Sequence, residues 1–243
     1  MTFDVDVFIA ALFSRALQEG VVMTVSLTIV SFAFGLLIGL GVALMRGSRN
    51  PVLRGAGWTY IWLFRALPTL ILLFLVWFAL PQLVPALKGP DFEPFYAAAI
   101  ALSVNEGAYA AEIIRGGLLS IDDGQRLAAR ALGMPPRSVF RRVVAPQVIR
   151  VITPALSNDF ITLLKITSLA YAVSLRELMT MAQIQVATSF QYAEWYGAAA
   201  VYYLVLVSIF MLVQSRFERR YVWASQRRGG RFGVLRGLGV PAR

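Results

Sequence analysis

The chain has 243 residues, of which 58% are hydrophobic and only 15% charged; a soluble protein carries about a quarter charged, so lipid has to cover much of this one. Cysteine and histidine are absent, which excludes disulfides, thiolate nucleophiles, the usual metal ligands and the side chain most used for proton transfer near neutral pH. The net charge of +10, with 21 of 23 basic residues arginine, would suit nucleic acid in a soluble protein, but here the arginines flank apolar runs, as the positive-inside bias of membrane proteins requires.

In chain order, Met1 to Phe13 carries Asp4 and Asp6 and no basic region ahead of an apolar stretch. It does not read as a cleaved signal, and residues 1–20 are expected as a segment on the outer, periplasmic side. Five stretches are then long and apolar enough to cross about 30 Å of hydrocarbon as helices. The first runs from Val21 to Met45 without a charge, and the second from Trp58 to Leu80 with Arg65 and Pro68 inside it. The third, Phe95 to Ile114, contains Glu106 and Glu112; the fourth, Ile152 to Leu175, contains Asp159 and Lys165; the fifth, Trp195 to Val213, is uncharged. Arg46, Arg49 and Arg54 lie between spans one and two, six arginines from Arg126 to Arg150 between three and four, and six more from Arg216 to Arg231 after span five. All these fall on one face of a five-span chain, which places the amino terminus outside and the carboxyl terminus in the cytoplasm. The expected fold class is an all-α membrane protein of five transmembrane helices. Residues 21–215 form the membrane domain with a cytoplasmic loop at 118–150, and 216–243 is a basic, Gly-rich tail expected to be disordered against anionic lipid.

A charge at the centre of a span costs at least a few kcal/mol and needs a reason. Glu106 and Tyr109 share a helix face three residues apart, beside Asn105, and Gly107 leaves room for a substrate or another backbone. Glu106 suits the ammonium or cationic side chain of a solute; equally, it can pair internally with Lys165 or Arg65. Arg65 precedes by three residues Pro68, which kinks its helix. Glu112 and Arg115 are spaced to pair, and Asp159, Lys165, Thr167 and Ser168 put polar groups along span four, facing a solute path or bonding across helices.

The cytoplasmic loop predicts two short helices. Asp122 and Gln125 form a capping box at the first, Gly133 stands where a left-handed C-terminal residue belongs, and Pro135 and Pro136 allow a second start. Ala128, Ala129 and Ala131 keep the first helix thin.

The pattern Leu127-Ala128-Ala129-x-x-x-Gly133, followed after nine residues by Val143-x-Ala145-Pro146, resembles the EAA loop of permease subunits in binding-protein-dependent ABC importers. Within that family it is similar to the polar amino acid uptake branch, in segments running from Phe64-Arg-Ala-Leu-Pro68 and Ala108 to Gly117 through Gly124-Gln125, Ala131 to Gly133 and Ala145 to Gln147 to Lys165-Ile-Thr-Ser-Leu169. The resemblance covers residues 20 to 215 and implies a type I importer permease of the bacterial inner membrane, with no enzymatic activity and no cofactor of its own. It implies two ATP-binding cassette subunits that bind ATP and magnesium, a second permease chain, identical or homologous, and an extracytoplasmic solute-binding protein. Membrane lipid is the remaining partner, and neither nucleic acid nor metal is expected. It gives Leu127, Ala128, Ala129, Arg130, Gly133 and Met134 the coupling contact with the ATPase, and makes Arg65 a gate or structural residue as readily as a carboxylate binder. Asn105, Glu106, Tyr109, Lys165, Ser168 and Arg65 are the candidates for the substrate path. Leu127 departs from the family, which has an acidic residue there; the charged contact is absent or comes from Asp123 or the second permease chain. Rival readings are a secondary transporter, of which no internal repeat is evident, and a membrane enzyme, for which no acid-base or metal cluster is assembled.

Overall fold

The computed structural model describes the backbone of residues 3–236 and the side chains of residues 3–216. Among these residues the chain is helical, with short 3-10 and π turns and no strand. Helix α1 (Val5–Leu12) starts on Asp4, whose side chain accepts from the amides of Asp6 and Val7. Helix α2 (Arg15–Arg46) starts on Ser14, six residues ahead of the Val21 expected from apolarity alone, because the Ser14 cap and an Arg15–Glu19 pair at 3.1 Å extend it outward.

Asn50 caps α3 (Pro51–Ala66), with Pro51 at the position that loses no hydrogen bond. Pro68 then breaks the span: α3 and the helical run Thr69–Leu83 meet at 103°. That run consists of α4 (Thr69–Phe74), a π turn (Leu75–Ala79) and α5 (Leu80–Leu83). Helix α6 (Pro94–Leu119) follows, and the loop after it holds α7 (Asp123–Ala131) and α8 (Pro136–Val139). A π turn (Phe140–Val144) leads into α9 (Ala145–Ile166), which unwinds into a 3-10 turn (Thr167–Val173). Helix α10 (Leu178–Ser189) occupies what read as an outer loop. Helix α11 (Tyr192–Arg236) keeps helical backbone past Arg216, where a disordered tail was expected; residues 237–243 of that tail lie outside the described residues.

By length and composition, two described helical segments can cross a membrane, Arg15–Arg46 and Tyr192–Arg216, or three if the bent pair counts as one span. Helices α6 and α9, of 26 and 22 residues, are long enough for 30 Å at about 1.5 Å per residue. Their hydropathy is lowered by the polar side chains that make them interesting: Asn105, Glu106 and Glu112 in one, Asn158, Asp159 and Lys165 in the other.

The fold is held at the crossing of α2 and α6. Helix α2 carries a series of small buried residues, Gly20, Thr24, Thr28, Ser31, Gly35 and Gly39; Gly20 and Thr24 meet the start of α10, and Gly35 and Gly39 meet α6 at Glu106, Gly107, Ala110 and Ala111. Without a hydrophobic drive between helices in lipid, close backbone approach through small side chains supplies the packing. A Cβ on Gly107 would stand 2.7 Å from Ile38 Cγ2 and 2.9 Å from the Tyr60 hydroxyl. The room foreseen at Gly107 is thus filled by neighbouring helices, not by a ligand. Leu27, Leu72, Leu73, Leu102 and Leu163 pack around this crossing as the main core.

A Cβ on Gly39 would lie 2.6 Å from the Ala110 Cβ and 3.0 Å from the Ala111 amide, whereas Gly41 has nothing within 4 Å. Overpacking of this kind costs about 1–3 kcal/mol, more against backbone. Gly39→Leu is therefore expected to lower the melting temperature of the detergent-solubilised protein by several degrees, and Gly41→Leu to leave it unchanged.

Candidate functional site

Glu106 sits at the middle of α6, 3% exposed, pressed against Gly35 of α2. Its carboxyl group meets that of Asp159 from α9, within hydrogen-bonding reach. Glu106 Oε1 and Asp159 Oδ2 are both buried with no hydrogen-bond partner. Two negative charges in contact repel strongly where water is scarce, so such a pair holds a proton or a cation between its members. No ion pair joins Glu106 to Lys165 or Arg65 among the described residues, which removes the internal pairing considered from sequence. Asp159 is the partner that the sequence placed on span four without linking it to Glu106.

The other expected path residues scatter. The Asn105 amide donates to the Phe64 carbonyl at 2.8 Å, satisfying one of the carbonyls left free where α3 ends; with Tyr60 donating to Val104 O at 2.6 Å, it fastens α3 to α6. Tyr109 turns away from Glu106, and Arg65 stacks on its ring at 5.4 Å. Glu112 and Arg115 pair as expected, through two bonds of 2.7 and 2.9 Å. Lys165 is exposed, and the Ser168 hydroxyl is spent on the Lys165 carbonyl at 2.7 Å. Asn158, Thr162 and Lys165 instead form an exposed polar stripe along α9, a face unsuited to lipid.

The loop at 118–150 forms its two helix starts and its turn where the residues predict, but the Gln125 side chain makes no bond back to Asp122, so the expected capping box is only half made. Asp122 caps α7 by accepting from Gly124 N at 2.6 Å. At the other end Gly133 has φ +75°, the Met134 amide donates to Ala129 O at 3.2 Å and the Gly133 amide to Arg130 O at 2.9 Å. This is the doubly bonded Schellman termination, which favours glycine at its left-handed position. Ala129 is buried and Met134 half-buried against Val139, Val144 and Val148. Leu127, Ala128, Arg130 and Gly133 are exposed. The six residues expected at the coupling contact thus divide into an outward set and an inward pair that anchors it. Asp123, the alternative source of a charge, is held by Arg126 at 3.2 Å and stays exposed.

The family of binding-protein-dependent transport system inner membrane components matches residues 35–223. The chain belongs to that family. It is therefore an inner-membrane transport subunit and not an enzyme, and its helices have the type I ABC importer permease fold. The probable amino-acid permease protein YxeN of Bacillus subtilis (strain 168) is 38% identical over 203 residues, 84% of this chain and 90% of that protein. The octopine transport system permease protein OccM of Rhizobium radiobacter is 37% identical over 196 residues, 79% of this chain and 80% of that one. Among solved structures, the crystal structure of an amino acid ABC transporter with histidines superposes with a TM-score of 0.82 at 35% identity, covering 90% of this permease and 100% of that chain.

One polar cluster in the permease escaped the sequence reading. Glu177, fully buried, accepts from the amides of Met179 and Thr180, the Thr180 hydroxyl and the Tyr203 hydroxyl at 2.7–3.1 Å. Next to it, Leu178 N donates to Thr24 Oγ1 at 3.1 Å, so the cluster ties α10 to α2 and α11. The signal was a glutamate followed by a threonine three residues on, a helix-start pattern inside a segment that read as loop.

Burial pushes the Glu177 carboxyl above its ordinary value of 4.5, against four donors that pull it down. The folded chain thus holds this proton more tightly than the unfolded chain. The resulting stabilisation is complete below about 4.5 and is lost as pH rises through the folded value. Glu177→Gln is expected to flatten that part of the profile of melting temperature against pH, and an unchanged slope would place the titration elsewhere.

Proposed function

We propose that the chain forms half of the translocation path for a polar amino acid or an opine-like derivative carrying a cationic group. The reading takes five spans: α2, α3 with α4, α6, α9, and the apolar part of α11. It puts the amino terminus outside and the carboxyl terminus in the cytoplasm, with residues 1–20 in the periplasm and 118–150 facing the ATP-binding subunits. Support for the topology comes from the three arginine-rich segments, which all fall on one side of such a chain, against only Arg15, Lys88 and Arg176 on the other. Support for the solute class comes from relatives whose names specify amino acids and octopine.

The observation that carries the proposal is the meeting of the Glu106 and Asp159 carboxyl groups, two of whose buried oxygens receive no hydrogen bond from any donor of the chain. Such a site rejects an anion, tolerates a proton and is best satisfied by an ammonium or guanidinium that donates to both carboxyl groups. The exposed polar stripe of α9 needs either water or a second permease chain over it, which supports two permeases around one axis. Two ATP-binding subunits then drive alternating access through the loop, and a solute-binding protein delivers the cargo.

The test is uptake by the reconstituted complex with its binding protein. Losing one charged hydrogen bond of about 1.5–3 kcal/mol should lower uptake roughly tenfold or more in Glu106→Gln and in Asp159→Asn, with insertion intact. Unchanged uptake kinetics in both variants would remove the pair from the path. ATP-independent uptake would select a secondary transporter.

The loop yields a separate expectation. Gly133→Asp places a side chain at a left-handed residue and misdirects the α7–α8 turn. It should abolish coupled uptake and weaken recovery of the ATP-binding subunit on the affinity-purified permease, and wild-type assembly would refute the docking role.

A further inference from the structure

A second polar site lies on the far side of α6 from Glu106. A cavity of about 540 Å³ opens between the end of α2, α3 and α6, and Glu106 is not among the residues lining it. Three guanidinium groups face it, those of Arg46, Arg65 and Arg115, against the single carboxylate of Glu112. Arg115 is committed to Glu112 through two hydrogen bonds. Arg46 and Arg65 remain. Arg65 has the Tyr109 ring at 5.4 Å, a contact that leaves its edge N–H groups available. Arg46 Nε is buried and makes no hydrogen bond. A buried charged donor without an acceptor is costly, and beside an open cavity it points to an acceptor that arrives from outside the chain.

The walls narrow the chemistry of that acceptor. Trp58 and Trp62 stack with ring centroids 6.1 Å apart and planes within 4°, and they stay 53% and 56% exposed. They form a flat apolar strip next to the two free arginines. Arg46 ends α2, immediately before the turn holding Arg49 and the start of α3 holding Arg54, a basic stretch suited to the headgroup layer. Tryptophan concentrates at that depth, and basic pockets between spanning helices on the cytoplasmic side suit anionic headgroups. A phosphate diester matches the guanidinium fork in shape and charge, and it brings a glycerol and acyl chains to cover indole.

We propose that this cavity binds the phosphate headgroup of an anionic phospholipid in the leaflet facing the basic loops, with Arg46 and Arg65 on the phosphate and Trp58 and Trp62 along the acyl chain. The assignment is independent of which solute the permease carries, so it can fail while the transport reading stands, and the reverse.

Native mass spectrometry of the full-length permease complex, purified in mild detergent, measures the retained lipid. Phosphatidylglycerol should be retained in preference to phosphatidylethanolamine. Arg46→Gln and Arg65→Gln should each lower that preference roughly fivefold, while Arg54→Gln, outside the cavity, should leave it unchanged. A measurement without arginine variants guards against misfolding. In nanodiscs, brominated phosphatidylglycerol should quench the indoles more than brominated phosphatidylcholine, and the excess should vanish in the Trp58→Phe, Trp62→Phe double variant. Equal quenching by the two lipids, or an undiminished preference in Arg46→Gln, overturns the proposal. Relief of the excess quenching by inorganic phosphate marks a free-anion site, and relief by a free amino acid marks a solute carboxylate site; either result overturns the lipid assignment.

Discussion

Everything in this chain hangs on the contact of α2 with α6, where glycine, alanine, serine and threonine let two backbones lie closer than larger side chains permit. Lipid offers no hydrophobic penalty for separating the helices, so the contact must be made of dispersion and fit. That requirement fits an α2 that carries no charge between Glu19 and Arg46 and that meets α6 through Gly35 and Gly39, while large side chains such as Phe34 and Leu37 are exposed. The same crossing presses Glu106 into its site. Glu106 is held between Gly35 and the half-buried Asp159, and its chemistry follows from that like-charged neighbour.

Polar groups in the spans sort into three kinds by what satisfies them. Asn105, Tyr60, Thr28 and Ser168 spend their hydrogen bonds on carbonyls within the protein and serve architecture. Glu112 and Arg115 satisfy one another. Glu106, Asp159 and Arg46, with Ser31 and Trp195, keep buried polar atoms unmatched, and the three charged groups are the costliest to leave so.

Much of this was legible in the sequence because it is written in local rules. The proline break at Pro68, the left-handed Gly133, the Asp122 cap and the Glu112–Arg115 pair each depend on residues within a few positions of one another, and each stands as read. The order of segments from Phe64 to Leu169 was enough to place the family. What stayed hidden was contact across the chain. Glu106 and Asp159 are 53 residues apart; a rule of opposite charges joined Glu106 to Lys165 or Arg65, whereas the fold sets like beside like. Glycine at 107 read as space for a ligand because sequence cannot say which neighbour fills it. Helix α10 was missed since its 12 residues carry almost no amphipathic periodicity and its start depends on Glu177, a buried cap held by Tyr203 on a distant helix, beside the Leu178 amide held by Thr24. Helix α11, read from its apolar stretch alone, continued beyond the point where hydropathy falls.

The small apolar knot under the loop at 118–150 ties Ile121 and Ala129 to Val139, Val144 and Val148, with Leu118 and Ile152 at its edges. It therefore joins the inner ends of α6 and α9 to the inward face of α7. Packed interiors resist compression, so the knot behaves as a stiff hub: a tug on α7 cannot be absorbed locally and is passed to two long rods at once. Those rods bear Glu106 and Asp159 partway along their length, and swinging them about the hub alters the gap between the carboxyl groups. On the proposed reading of that pair, its hold on a cation is geared to movement at the α7 end, with no side chain having to carry the message in between.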